Sequence, residues 1–304
     1  MEQAIGTKSD TVFDCIVVGA GPGGLQACIH LCRYNFRVLL FNTYGGRTGH
    51  AKHLENYLGI PAISGTELLM TGLEQAKRFG VAVENAKVER LSGREGSFEV
   101  QADGKTWQSR YVIAASGANE TIAPFKNLHK FFGLSYYTCM ICDGYRTTGK
   151  KLVVIDRTAN GVRSSVAMKR MYTKDVTFIA HGFTPAPVYR SLLEEEGIAL
   201  VEGRPEELLG ESALVGVRMA DGRVIPCEAI LGWGGISLND EYLGGLDAER
   251  DADGFKFVTR ANGESSVPGL FILGALRTGH SQAIISAGQG AEAAIEISGR
   301  IVEL

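Results

Sequence analysis

FDCIVVGAGPGG, residues 13–24, decides the fold. Phe13 to Val18 form a short, mainly apolar run of the kind buried in a parallel sheet, and glycines follow without a spacer. Gly19, Gly21 and Gly24 make the pattern GxGxxG, with Pro22 and Gly23 inside it. The first glycine permits a tight turn, the second lets backbone approach a pyrophosphate, and the third lets a helix pack on the strand. LQACIHLCRYN then places Leu25, Cys28, Ile29 and Cys32 at helical spacing, facing a core, and RVLLF at 37–41 supplies a second strand. Strand, glycine turn, helix, strand is the opening of a doubly wound dinucleotide-binding sheet. Where such a sheet usually carries an acid for ribose hydroxyls, this chain has Asn42, which either bonds those hydroxyls without a charge or caps the strand.

Further along, ELLMTGLEQAKRFG reads as an amphipathic helix, and VAVENAKVERL and SFEVQADGKTWQSRYVIAAS as strands with turns between them. At Lys151 the pattern restarts. KLVVI is a strand, SSVAMKRMY a helix and DVTFIAH a strand, which repeats the first architecture without its glycines. From about Asp251 onward, VPGLFILGALRTGHSQAIISAGQGAEAAIEIS reads as a strand, a glycine-flanked loop and a small-residue helix returning to the first domain. The expected fold is α/β, with two Rossmann-like (three-layer ββα) nucleotide-binding domains, the second inserted in the first: 1–120 with 243–304, and 121–242.

With 304 residues, 45% hydrophobic and 21% charged, the chain is long enough for two buried cores. A net charge of −3 leaves no basic surplus for nucleic acid, and no polybasic run favours a membrane surface. MEQAIGTKSD lacks the apolar core of a signal peptide, and no later apolar run is long enough to span a bilayer, so a cytoplasmic location is expected. Six cysteines are too few for a secreted disulfide framework.

Two of them stand in TCMICDGYR, residues 138–146, where Cys139 and Cys142 leave three readings: half a zinc site, core thiols or a redox disulfide. Zinc needs two more ligands, and Cys15, Cys28, Cys32 and Cys227 sit singly, so no metal site is expected. For a redox pair the spacing lets the sulfurs close a small loop at a helix start, where amide dipoles favour a thiolate. Cys227 reads as packing.

GAGPGG, the pair Gly45–Gly46, LENYLG at 54–59, ASGA at 115–118, CMICDG at 139–144, VPGLFILGA and QAIISAGQG follow one another in an order that resembles the low-molecular-weight thioredoxin reductases and their relatives, over nearly the whole chain. The resemblance implies a thioredoxin reductase-like fold, an FAD held by the split domain, and a CxxC in the inserted domain that exchanges electrons with it. It implies that Gly19, Gly21, Pro22, Gly23 and Gly24 cradle the FAD pyrophosphate, that Gly46 and Asn56 lie near the flavin end, and that Val88 offers backbone to the adenine. Ser116, Gly117, Gln282 and Ala283 would present backbone to the isoalloxazine. Gly274 and Ala275 stand where the family writes GD, so the carboxylate expected on the ribityl chain is missing, and Ser281 replaces an arginine. By the same resemblance Cys142 faces the flavin, Cys139 exchanges with an outside thiol, and Asp143 moves the proton. A carboxylate beside a thiol pair and away from bulk water has its pKa raised toward neutrality and works as acid or base; the plainer reading of Asp143 is a helix cap.

Relatives that use NADPH carry a second glycine fingerprint and an arginine-bearing strand end. Here VVIDRTANGVRSS keeps only Gly161, Asp156 and Arg157 stand where backbone should approach phosphate, and His181 replaces the arginines, so NADPH is not expected. Two kinds of relative lack that site. In the ferredoxin-linked flavin thioredoxin reductases an iron–sulfur protein feeds a single FAD. In the diflavin-linked disulfide oxidoreductases of photosynthetic prokaryotes a second FAD fills the former nicotinamide cleft, and electrons run from dithiol to flavin. No Phe, Tyr or Trp follows Phe271 to shield the flavin, which favours the second kind, with Tyr57, Arg163, His181 and Trp233 as candidates to line the cleft. Trp233 also reads as a core anchor. A flavin-binding sensor without turnover is a third reading, against which the intact CxxCD stands. The expected partner is a dithiol or disulfide, such as a thioredoxin-like protein, with ferredoxin as the alternative donor and a homodimer as the family's assembly.

Overall fold

The computed structural model describes residues 8–43, 46–232 and 234–303; Gly45 and Trp233, both singled out above, lie outside them. The chain forms two compact units, Met1–Asn119 with Ser237–Leu304, and Glu120–Ile236. The return crossing thus falls at Ser237 rather than at 243.

In chain order the first unit opens with β1 (Lys8–Val18), α1 (Pro22–Arg33), β2 (Val38–Phe41), α2 (Arg47–His50), α3 (Gly65–Arg78), β3 (Ala82–Glu84), β4 (Arg90–Arg94), β5 (Ser97–Ala102) and β6 (Lys105–Ala114). After the crossing strand β7 (Ala118–Glu120) come α4 (Leu128–Phe131), β8 (Tyr136–Tyr137), α5 (Met140–Asp143), β9 (Leu152–Asp156), α6 (Ala159–Met171), β10 (Val176–Ala180), α7 (Pro187–Glu195) and β11 (Ala199–Glu202). The remainder is β12 (Pro205–Leu209), β13 (Gly216–Met219), β14 (Val224–Pro226), β15 (Ala229–Gly232), the returning β16 (Ile236–Leu238), β17 (Leu270–Ile272) and α8 (Ala283–Ile301).

In the first unit the sheet runs β3-β2-β1-β6-β5-β4, and β17 pairs with the end of β6. β1 lies parallel between β2 and β6, with Val18 level with Phe41 and Ala114, so the glycine turn leaves the sheet at the point where the strand order reverses. Val38–Phe41 is buried along its whole length, as a strand covered on both faces must be. α3 starts on a capping box: the Glu67 amide donates to Ser64 Oγ at 3.2 Å, and the Ser64 amide to the Glu67 carboxylate at 3.0 Å. The second unit repeats the plan in a parallel sheet, β11-β10-β9-β15-β8, and adds an antiparallel β12-β13-β14 sheet. Its strand β9 runs one residue past the expected KLVVI and takes in Asp156.

α8 returns to pack along α1, and small residues set the distance. A Cβ on Gly290 would lie 2.1 Å from the Gly23 carbonyl oxygen, and one on Gly24 would lie 2.0 Å from that of Gly19. The far end of α8 is tied down by charge. Arg300 donates to both carboxylate oxygens of Glu264 at 2.6 and 2.8 Å, and Arg260 and the Gly269 amide add bonds at 3.1 and 3.0 Å. Glu264 is 2% exposed, and the Arg300 guanidinium holds its carboxyl below the ordinary 4.5. Stability drawn from a depressed carboxyl is complete above its unfolded value and is lost as pH falls through the folded one. Glu264→Gln is therefore expected to lower unfolding free energy by about 2 kcal/mol at neutral pH and to flatten the acid limb of stability. Denaturant melts of both proteins from neutral to acid pH check this; equal stability at neutral pH contradicts it.

Candidate functional site

The first unit holds a cavity of about 760 Å³ at the end of β1, within the usual range for a cofactor site. Gly19, Gly21, Pro22, Gly23, Asn42, Gly46, Val88, Ser116, Gly117, Gly274, Ala275, Gln282 and Ala283 all line it. Of the residues read as cofactor-binding, Gly24 and Asn56 do not. Gly24 is the packing glycine under α1, and Asn56 is exposed and reaches the site through Gln282, donating to its side-chain oxygen at 3.2 Å.

The cradle suits a pyrophosphate. α1 begins on Gly21 with no side-chain cap and Pro22 in its first turn, which leaves its first amides and their partial positive charge to the cavity. A Cβ on Gly21 would meet nothing nearer than the Ala115 carbonyl at 3.9 Å, so the space beside it is free for a ligand. Gly274 turns its amide to Gln289 Oε1 at 2.8 Å, a bond within the protein at the position where the family's carboxylate would follow. The opposite wall is a zipper between distant segments. Ser116 Oγ donates to the Asn239 carbonyl at 2.6 Å and sits 3.0 Å from the Tyr242 hydroxyl, while Asn239 Nδ2 donates to the Ser116 carbonyl at 3.1 Å. Tyr242, Glu241, Arg47 and the α3 residues Leu69 and Leu73 also line the cavity, and none of them has a local sequence signal.

In the second unit Cys139 and Cys142 are joined by a disulfide, Cα to Cα 5.3 Å. Cys139 caps the single turn α5, and the Cys142 amide donates to Cys139 Sγ at 3.1 Å. Asp143 is held next to the pair by its own amide, which donates to the Cys139 carbonyl at 3.0 Å. Arg146 Nε lies 3.6 Å from Asp143 Oδ1, a neighbour that sequence reasoning missed. Gly144 lets the turn sit on α6, since a Cβ there would lie 2.6 Å from the Tyr172 ring.

The remaining thiols are buried: burial pushes Cys32 up to about 11 and Cys227 up to about 12, and Cys15 and Cys28 also upward. They stay protonated and unreactive at neutral pH. Among the described residues no group of three or more His, Cys, Asp or Glu side chains is arranged to hold a metal ion. No helix among them is long and apolar enough to cross a membrane.

The turn after β9 is filled by its own side chains. Asp156, 4% exposed, accepts from the Thr158 amide at 2.8 Å and the Thr158 hydroxyl at 2.9 Å, and Thr158 Oγ1 accepts from the Asn160 amide at 3.3 Å. The cavity at this edge measures about 150 Å³ and is lined by Tyr136, Ile155, Arg157 and His181 among others. Burial, with Arg157 and Arg204 nearby, holds the His181 imidazole below its usual range, so it is mostly neutral at pH 7. Arg163 turns instead to the Tyr189 hydroxyl at 3.4 Å.

A two-unit nucleotide-binding plan with a CxxC disulfide is the class these features define, and comparison with known proteins places the chain within a family of that plan. Residues 13–291 match the pyridine nucleotide-disulphide oxidoreductase family model, and the chain belongs to that family. It is 28% identical to the thioredoxin reductase of Aquifex aeolicus, over 98% of this chain and 96% of that one. The crystal structure of HlmI superposes with a TM-score of 0.89 at 25% identity, covering 98% of this chain and 95% of that chain. Thioredoxin reductase from Streptococcus pyogenes superposes with a TM-score of 0.88 at 20% identity, covering 97% and 100%, which shows the shared fold. Family membership implies FAD, and the open glycine cradle and the size of the first cavity fit it.

The two glycines separate ligand from fold. Gly21→Leu is expected to leave stability within about 0.5 kcal/mol while lowering FAD retention at least about tenfold. Gly24→Ala should cost about 1–3 kcal/mol in stability. Flavin content and thermal melts of the two variants check this. A flavin-replete Gly21→Leu protein contradicts it.

Proposed function

We propose that the protein is an FAD-dependent dithiol–disulfide oxidoreductase that moves electron pairs between a partner's sulfurs and the Cys139–Cys142 disulfide without a nicotinamide nucleotide. FAD, held in the first cavity by Gly19, Gly21, Pro22, Gly23 and the residues lining it, supplies two-electron acceptance when bound.

The observation that carries the nicotinamide-independent reading is the filled turn after β9. In the first unit the amides of the turn are left to a ligand; in the second, the Asp156 carboxylate already occupies Thr158's amide and hydroxyl. An incoming phosphate would meet a buried negative charge and a turn whose donors are spent. His181, largely neutral, replaces the fixed charge that a 2′-phosphate needs.

Exchange begins when a partner thiolate attacks Cys139 Sγ. The Cys139–Cys142 bond breaks, and Cys142 leaves with the electron pair as a thiolate. The partner's second sulfur, giving up its proton, then attacks the mixed disulfide, closes the partner's own disulfide and releases Cys139 as a thiolate. The Cys142 amide, directed at Cys139 Sγ, stabilises that charge, and Asp143 handles the proton. Ile141, 61% exposed between the two cysteines, and the half-exposed Tyr145 offer a partner apolar contact beside the sulfurs. The kinship to thioredoxin reductases supports a thioredoxin-like protein as that partner.

Two carriers remain for the flavin's other side, a second FAD or an iron–sulfur protein of the ferredoxin kind. Anaerobic dithiothreitol is expected to bleach the flavin, and an excess of NADPH to leave its colour unchanged. Denaturation and a count of the released FAD separate the two carriers, one FAD per chain selecting the iron–sulfur protein. Bleaching by NADPH overturns the nicotinamide-independent reading, and two FAD per chain selects the second flavin as carrier.

A further inference from the structure

The turn that carries the disulfide holds a charge pair, Arg146 with Asp143, of which the exchange steps above use only Asp143. Arg146 Nε lies 3.6 Å from Asp143 Oδ1, and both side chains are largely covered, 22% and 26% exposed. The guanidinium lies over the Tyr145 ring, 5.0 Å from its centre, which restricts where it can swing. Tyr137, on β8, is within electrostatic reach of both: Arg146 draws its phenol down and Asp143 draws it up, against a larger upward push from burial. Glu120, the carboxylate on the other flank, accepts from the Thr138 hydroxyl at 2.8 Å. Near Asp143 in this unit stand an arginine at ion-pair distance and the Tyr137 phenol, with Glu120 bonded to Thr138, the residue before Cys139.

We infer that Arg146 is a positioning residue that keeps Asp143 in its carboxylate form, and so readies it to take the proton released when the partner's second sulfur attacks. This deepens the function proposed above and rests on its reading of Asp143 as the proton-handling group. Oxidising a dithiol removes two electrons and two protons from the partner. The electrons break the Cys139–Cys142 bond and end on the two cysteine sulfurs. One proton leaves with the solvent when the first partner thiolate forms. The second must leave as the other partner sulfur attacks the mixed disulfide, and a carboxylate next to the pair is the group able to accept it. Asp143 then returns that proton to a cysteine thiolate or to water, and this half-reaction balances, with the electron pair held on Cys139 and Cys142 as thiols or thiolates. Arg146 also offsets the repulsion between the Asp143 carboxylate and the thiolate released on Cys142, which would otherwise set two like charges side by side.

The test is the rate at which dithiothreitol opens Cys139–Cys142 in the purified, FAD-containing protein, read by alkylating the released thiols between about pH 5 and 9. Dividing each rate by the thiolate fraction of dithiothreitol removes the reagent's own titration. The normalised wild-type rate should stay level into mild acid. Arg146→Met should lose rate at higher pH, about tenfold below wild type where wild type is still level, and Arg146→Lys should restore most of the level profile. Arg146→Gln serves as a second neutral variant should the methionine protein fail to fold, and melting temperatures identify that failure. A structural role alone would scale the rate at every pH without moving the acid limb. A pH profile unchanged in both neutral variants overturns the inference. Asp143→Asn separates the two layers. If it leaves the normalised rate untouched at every pH, the proton-handling reading itself fails. If it changes the profile while the Arg146 variants do not, that reading stands and the role of Arg146 falls.

Discussion

A turn lined with backbone amides can hold an external anion only while no side chain of its own reaches those amides first. Both units of this protein place such a turn after the first strand of a parallel sheet, and they use it in opposite ways. After β1, Gly21 caps α1 without a side chain and the amides face a large cavity. After β9, Asp156 and Thr158 close the turn with their own oxygens. One unit leaves its turn open to a cavity, and the other closes its turn with an internal cap. Gly161 keeps helix close on strand, since a Cβ there would lie 2.3 Å from the Asp156 Cβ.

The open turn depends on the end of the chain. α8 comes within a glycine's distance of the Gly23 carbonyl, and its last turn is anchored through Arg300 to the buried Glu264. The segment around Asn239 and Tyr242 then bonds to Ser116 and Gly117 to form the far wall. A cofactor in this cavity is thus held by residues drawn from both ends of a discontinuous domain. In the other unit a similar economy governs the redox turn, where Gly144 brings the cysteines down onto α6 and the capping amide of Cys142 is directed at Cys139.

Features set by local chemistry were legible before any coordinates. The glycine fingerprint, the fully buried strands and the amphipathic α3 each carry their signal within a dozen residues, and the CxxCDG turn does so within six. What escaped was set by pairing across long separations. Nothing near Tyr242 says that its hydroxyl meets Ser116, and nothing near Gln289 says that its side chain meets the Gly274 amide. Asn56, on a hairpin-like loop, bonds the side chain of Gln282 from the far end of the chain, a pairing that no local pattern shows. Arg146 was within reach of inspection at three residues from Asp143, but a basic residue after a redox motif reads as an ordinary exposed charge until its partner is seen.

The measurement that bears most directly on the contrast between the two turns is calorimetric titration of NADPH into the wild-type protein and into an Asp156→Gly, Thr158→Gly double variant. The wild type should give no binding heat, and the variant, with its amides released, should gain affinity by about tenfold or more. Tight binding of NADPH by the wild-type chain, or a variant that gains nothing while its fold and flavin are intact, would contradict the assignment of Asp156 as the group that closed the second site.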